Sequence, residues 1–187
     1  MKIESEIIDY EKNKNDIDKW LNVKGEIKYL EFVKILKINN IDCTWKNVSN
    51  LYRYDKRLQI NLFKYMSFFE EYIRAKLWNN ENFKKYRELN RKYMGELIGY
   101  LCENEELLQN HFNNINKKQL DNIREIRNTI SHNDIILKCH NGKKDYKHLI
   151  KDIYFALPQE YKENFKNDII KCSDKLNINK IFVVDFT

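Results

Sequence analysis

Pro158 is the only proline in a chain of 187 residues, and only four glycines accompany it. Proline breaks helix interiors and glycine weakens them, so a chain this poor in both can build long helices and lacks the residues that shape tight turns. The expected fold class is all-α, with apolar residues recurring at three and four to give each helix a buried stripe. The strongest such segment is residues 55–78, where Leu58, Leu62, Tyr65, Met66, Phe69, Ile73 and Leu77 share one face and Asp55 is the expected N-cap. Its aromatic stripe is read as core, not as a cofactor box.

Other helices follow from the same spacing. Residues 25–37 carry Ile27, Leu30, Val33 and Leu36. A shorter helix is expected from Thr44, with Trp45, Val48 and Leu51 or Tyr52 inward. Phe83, Tyr86, Leu89 or Asn90, Tyr93, Leu97 and Leu101 mark a long helix, and 105–112 continue it after a break near Glu103. Further helices are expected from about Lys117, from Tyr146 to Leu157, and from Pro158 to Leu176 with the proline in the first turn. "HNGKKD" (140–145) holds the clearest turn pair and is expected to be a loop, and "KIFVVDF" is the one strand-like run.

A chain this long can bury roughly 70% of its unfolded surface, so it needs no staples to fold. Hydrophobic residues make up 42% and charged residues 33%, which argues against disorder. No apolar run approaches the roughly eighteen residues of a membrane span, and the charged N-terminus has no secretory core, so a cytoplasmic location without membrane attachment is expected. Cys43, Cys102, Cys139 and Cys172 lie far apart and read as free thiols. Cys139-His140 with His148 is the one cluster resembling metal ligands; no second Cys/His pair completes it, so neither metal nor cofactor is expected. The net charge of +6 permits phosphate binding without indicating it, because the lysines are dispersed among acidic residues. His111, His140 and His148 have no partners at a telling spacing and are read as surface or loop residues.

The stretch "IREIRNTISHND" (123–134) is different. On a helix at about 100° per residue, Leu120, Ile123, Ile126 and Ile130 form a core stripe. Arg124, Arg127, Asn128, Ser131 and His132 fill the adjoining arc. Arg127 and His132 stand about 140° apart on a straight helix, so they converge only if the helix ends near Ser131 or a second copy supplies the partner. These side chains suit metal-free RNA cleavage. Histidine can move protons near neutrality, arginine offers a donor fork to phosphate oxygens, and asparagine can hold either through a neutral hydrogen bond. A plainer reading also exists, since cations at a helix C-terminus complement its dipole.

"RNTISH", Arg127-Asn128-x-x-x-His132, resembles the R-x4-H signature of HEPN domains, whose first intervening residue is typically polar. A second stretch, "YDKRLQINLFKYMSFFEEYIRAKL", resembles the helix of Abi-like (abortive infection) proteins, which opens on Asp and closes on I-E-x-x-x-R. Asp55, Leu58, Glu70 and Arg74 match those positions, with Phe69 in place of the isoleucine. "ALPQEYKENFKNDI" is similar to that family's C-terminal Leu-Pro segment. The similarity covers roughly residues 45–170.

The resemblance implies a HEPN-like bundle of four to five main helices with additional short ones. Residues 1–44 would be a helical extension, 45–176 the core and 177–187 a tail of one domain. It implies metal-independent endoribonuclease activity on single-stranded RNA, leaving 2′,3′-cyclic phosphate ends, in phage defence or as a toxin. Arg127, His132 and Asn128 would be catalytic, and Arg124, Ser131, Glu70 and Arg74 would bind RNA or support the site. The expected partners are RNA, a second copy docked through the motif face, and a restraining antitoxin protein or regulatory RNA. The dimer also suits the chemistry, because one motif supplies one histidine while the reaction uses a base and an acid. Asp134 stands where an extended R-x4-H-x-Y signature has tyrosine, which argues against silencing by a nucleotidyltransferase antitoxin. Two other roles compete with the enzyme: a catalytically silent HEPN module binding RNA or a protein, and a plain helical dimerisation domain.

Overall fold

The computed structural model describes residues 2–79, 86–112 and 115–186. The protein is all-α: nine α-helices and a single two-residue antiparallel ladder occur among the described residues. None of these helices is long and apolar enough to cross a membrane. The chain divides into two compact units, one within Met1–Arg57 and Ser173–Val183, the other within Leu58–Cys172 and Val184–Thr187.

The first unit contains α1 (Tyr10–Lys24), α2 (Glu26–Ile38) and the start of α3 (Trp45–Asn79). Gly25 separates α1 from α2 at φ +83°, a backbone region that L side chains rarely adopt. The α2 stripe is rotated from the expected one. Tyr29, Phe32, Val33 and Leu36 are buried while Ile27 is 78% exposed, because the two aromatic rings have more apolar surface to hide. Trp45, Val48, Leu51 and Tyr52 face inward as expected.

The expected break between a short helix at Thr44 and a longer one at Asp55 does not exist; α3 runs through both. Asp55 is wholly buried in its interior and cannot be an N-cap. Nothing from 45 to 58 is glycine or proline, so no residue there forces a stop.

In the second unit, Leu58, Leu62, Tyr65, Met66, Phe69, Ile73 and Leu77 of α3 are all buried. The expected long helix after residue 83 is instead α4 (Tyr86–Asn90) and α5 (Met94–Cys102); Phe83 lies outside the described residues. Glu96 stops α5 from extending backwards, its carboxylate accepting from the Tyr93 amide at 2.9 Å, and Tyr93 is 75% exposed. α6 (Glu105–His111) starts at Asn104, whose side chain accepts from the Leu107 amide. α7 (Lys117–Ser131) carries the motif.

Residues 140–145 form a hairpin, not a plain loop: β1 (His140–Asn141) pairs with β2 (Lys144–Asp145), and Gly142 takes the positive φ of the turn. α8 (Tyr146–Ala156) is capped by Asp145, which accepts from the Lys147 and His148 amides. α9 (Gln159–Lys171) has Pro158 at its N-cap and ends five residues before Leu176, with Lys175 in the left-handed region. The strand-like tail is a 3₁₀ turn, Lys180–Phe182, opened by the Asn179 side chain on the Ile181 amide.

Candidate functional site

α7 is fixed at both ends by its own sequence. At the start, the Asn116 side chain accepts from the Gln119 amide at 3.0 Å and the Gln119 side chain accepts from the Asn116 amide at 3.1 Å, a reciprocal capping box. At the finish, His132 is the C-cap at φ −86°, ψ 3°, and Asn133 follows in the left-handed region at φ 54°. The Asp134 amide then donates to the Thr129 carbonyl at 2.9 Å and the Asn133 amide to the Ile130 carbonyl at 3.0 Å. This is a Schellman ending with asparagine in the position usually held by glycine. The helix therefore ends immediately after the motif, with His132 as its C-cap residue. The Gln59 side chain holds the following turn to α3, donating to the Asp134 carbonyl at 2.8 Å.

Leu120, Ile123 and Ile126 of α7 are buried, whereas Ile130 is half-exposed and lines an open cleft. That cleft, of about 210 Å³, runs between α3 and α7. Phe63, Met66, Ser67 and Glu70 form one wall, and Arg127, Ile130 and Ser131 the other. Three of the expected site residues, Arg127, Ser131 and Glu70, thus share one depression.

Arg74 is bound to Glu70 four residues earlier and also donates to the Lys92 carbonyl at 3.1 Å. Its Nε is buried with no hydrogen-bond partner among the described residues. This pairing offsets the Glu70 carboxylate, which would otherwise repel an anion in the cleft. The Arg127 guanidinium is half-buried and has no ion-pair partner among the described residues. The Ser131 hydroxyl donates to the Arg127 carbonyl at 2.9 Å, so its proton is committed to the helix backbone.

The remaining motif residues lie outside the cleft lining. Asn128 and His132 are exposed, and the His132 amide donates to the Asn128 carbonyl at 3.0 Å. Arg124 is exposed, paired with Asp121 at 3.0 Å, with its stem close to Gly95 of α5. It belongs to a different part of the surface from the cleft.

The Cys139, His140 and His148 side chains each have other engagements. Burial pushes the Cys139 thiol up to about 11, and its sulfur lies 3.3 Å from the Thr129 hydroxyl. His140 Nδ1 is 3.0 Å from the Lys138 carbonyl, and His148 Nδ1 is 2.8 Å from the Asp145 carboxylate. Among the described residues no three His, Cys, Asp or Glu side chains group to hold a metal.

A polar network absent from the sequence expectation anchors the motif helix. Asn122, wholly buried on α7, donates to Asp152 Oδ2 on α8 at 2.6 Å. Gln119 donates to Asp152 Oδ1 at 3.2 Å, Lys144 pairs with Oδ2 at 3.1 Å, and the Asn141 side-chain amide donates to Asn122 Oδ1 at 2.8 Å. The signal was present: Leu149, Asp152, Ile153 and Ala156 share one helical face, which draws a carboxylate into the core. Such a group must be answered by donors, and α7 and the hairpin provide them.

No family model matches the chain, and no curated protein and no solved structure matches it.

Proposed function

We propose that the chain is a metal-independent endoribonuclease of the HEPN type, cutting single-stranded RNA to leave 2′,3′-cyclic phosphate ends. The observation that carries this reading is the Arg127 guanidinium at the edge of the α3–α7 cleft, without an ion-pair partner among the described residues and on a helix that ends at the exposed His132. A half-buried arginine without a counter-ion is a ready phosphate ligand, since its planar fork meets two oxygens at once. His132, open to solvent, removes the 2′-hydroxyl proton. The 2′-oxygen then attacks phosphorus, and the 5′-oxygen leaves with a proton from a second acid. Asn128 orients the imidazole or a phosphate oxygen.

The second acid comes from a second chain in a two-fold dimer joined through the motif face. Support comes from Ile60 and Phe63, one turn apart on α3 and 70% and 61% exposed, with Phe63 lining the cleft itself. Apolar side chains adjoining a charged site suit a surface that is covered in the working assembly. The same patch is what favours the competing role, a silent module whose motif face docks RNA or another protein. Phage defence or toxicity restrained by an antitoxin protein or regulatory RNA is the biological setting that accompanies the nuclease reading.

Incubating purified protein with single-stranded RNA in EDTA, and analysing the ends for cyclic phosphate, separates the two. Cleavage that requires added metal, or no cleavage by folded dimer, would overturn the nuclease reading.

A further inference from the structure

The first unit contains an aromatic cavity remote in sequence from the R-x4-H stretch. It measures about 150 Å³ and is lined by Trp20, Lys24, Tyr29, Trp45, Ser49, Tyr52 and Arg53. Its rings are held in place before any ligand arrives. Asp16 anchors both indoles, one oxygen accepting from Trp45 Nε1 at 2.6 Å and the other from Trp20 Nε1 at 3.1 Å. Asp9 also accepts from the Trp45 amide at 2.7 Å. Tyr29 stacks on Tyr52 with centroids 5.0 Å apart and lies 5.3 Å from Trp45.

The rim is basic. The Lys24 ammonium sits 5.8 Å from the Trp20 ring and 5.6 Å from Tyr52, and Lys56 lies 6.0 Å from Tyr52. Burial first, then the neighbouring Lys28 and Lys24 charges, holds the Lys56 amine below its usual range. The Lys24 and Lys28 charges thus both act on Lys56, partly offset by Asp55, and Arg53 adds a further cation at the cavity wall. The Asp16 carboxylate, outside the cavity lining, has both oxygens engaged by indole N–H groups.

We propose that this cavity is a nucleotide-binding site, taking one nucleobase against Trp20 and Tyr52 and its phosphate on Lys24 and Arg53. A cavity of this size is below the roughly 300–1,000 Å³ of a pocket that engulfs a whole ligand, so a single ring system enters and the ribose phosphate stays at the rim. Rings and cations in this arrangement are how proteins hold unpaired bases: the ring supplies a stacking face, and the cation neutralises the phosphate while lying over the ring. The Lys24 ammonium, already above both rings, moves aside to meet the phosphate when the base stacks. The ligand chemistry is the same for a free nucleotide and for a nucleotide within single-stranded RNA. The inference stands without the nuclease reading.

The test titrates the full chain with AMP and, separately, with a 2′-O-methyl adenylate hexamer, following tryptophan emission. The capped 2′-oxygen keeps the hexamer intact whatever the motif does. Saturable quenching is expected, weakened about tenfold or more by Trp20→Ala and by the Lys24→Glu, Arg53→Glu pair. Cleavage of unmodified RNA is assayed separately in the same variants, so loss of cleavage and loss of this site are read apart. Tighter binding of the hexamer assigns the site to RNA, and equal or tighter binding of AMP assigns it to free nucleotide. Lys24 and Arg53 are exposed, so their replacement tests the site even if Trp20→Ala misfolds. No saturable quenching by either probe, or equal affinity in a folded charge-reversed variant, would overturn the proposal.

Discussion

Asn122 on α7 and Asp152 on α8 are joined by a 2.6 Å hydrogen bond in a wholly buried position, and this bond ties the motif helix to its neighbour. Asp152→Ala would leave the Asn122 amide without its acceptor in the core. A loss of ~2–3 kcal/mol is expected, since an unanswered buried polar group forfeits its solvation. The denaturant midpoint measures it, and Asp152→Asn should lose less because one acceptor oxygen survives. An unchanged midpoint in Asp152→Ala would mean that water replaces the carboxylate without cost.

Acid and alkali should each weaken a second junction. Lys64 and Tyr65 of α3 both reach Asp168 Oδ2 of α9, at 2.9 and 2.8 Å. Burial works to raise the Asp168 carboxyl, but the hydrogen bonds from Lys64 and Tyr65 outweigh it and hold the group below the ordinary aspartate range. A lowered carboxylate stabilises fully above the unfolded value of about 4, and its contribution disappears as the pH falls through the lowered one. Tyr65 goes the other way: burial, then the bond to Asp168, pushes it up to about 12. Its contribution is full below the model-peptide value near 10 and is lost as the pH rises towards 12. Asp168→Asn should flatten the acid limb of a plot of melting temperature against pH.

His132→Ala should lower RNA cleavage by ~10²–10⁴-fold, the range for losing a positioned acid–base group. The side chain is exposed at a helix end, so circular dichroism and melting temperature should stay near wild type. A folded variant that cuts at the wild-type rate removes His132 from the chemistry.

Arg127→Lys keeps the charge and should still fail. Lysine presents a point charge where the guanidinium offers a planar pair of donors. A loss of ~10²-fold or more is expected from misplaced phosphate, read as cleavage rate under single-turnover conditions. If the lysine variant cuts nearly as well, arginine contributes field alone.

The working species should have a mass near twice 23.0 kDa by light scattering. Replacing the exposed Ile60 and Phe63 by aspartate should yield a folded monomer with little cleavage, since both sit on the α3 face beside the cleft. Added salt should shift the dimer equilibrium, because the proposed pairing would bring arginines close to one another across the axis. Excess His132→Ala chains mixed with wild type should depress activity beyond dilution. Full activity from a nanomolar monomer would end the two-chain scheme.

The scarcity of proline and glycine and the spacing of apolar residues made the helices legible in the chain. The inward faces of α3 from Leu58 to Leu77 and of α7 from Leu120 to Ile126 follow from that spacing, because burial of a periodic stripe is a local property of a helix. Boundaries were less legible. Asp55 has the chemistry of a cap, yet with no breaker beside it the helix continued and enclosed it. Asn133 carried the opposite information, a residue tolerant of the left-handed region that closes α7 immediately after the motif.

Tertiary structure alone decided which motif residues share a cavity. On a helix net, Arg124 and Arg127 are one turn apart and look equivalent. Packing against α3 puts Arg127 in the cleft with Glu70, while Arg124 turns towards Asp121 and Gly95. Likewise, the one-dimensional pattern could place Asp152 inward but could not name Asn122, Gln119 and Lys144 as the groups that answer it. The reason is physical. Periodicity tells which face of a helix leaves water, whereas the partner met there depends on how separate helices cross, and that geometry is set by residues 30 to 60 positions away in the chain, such as Glu70 from Arg127.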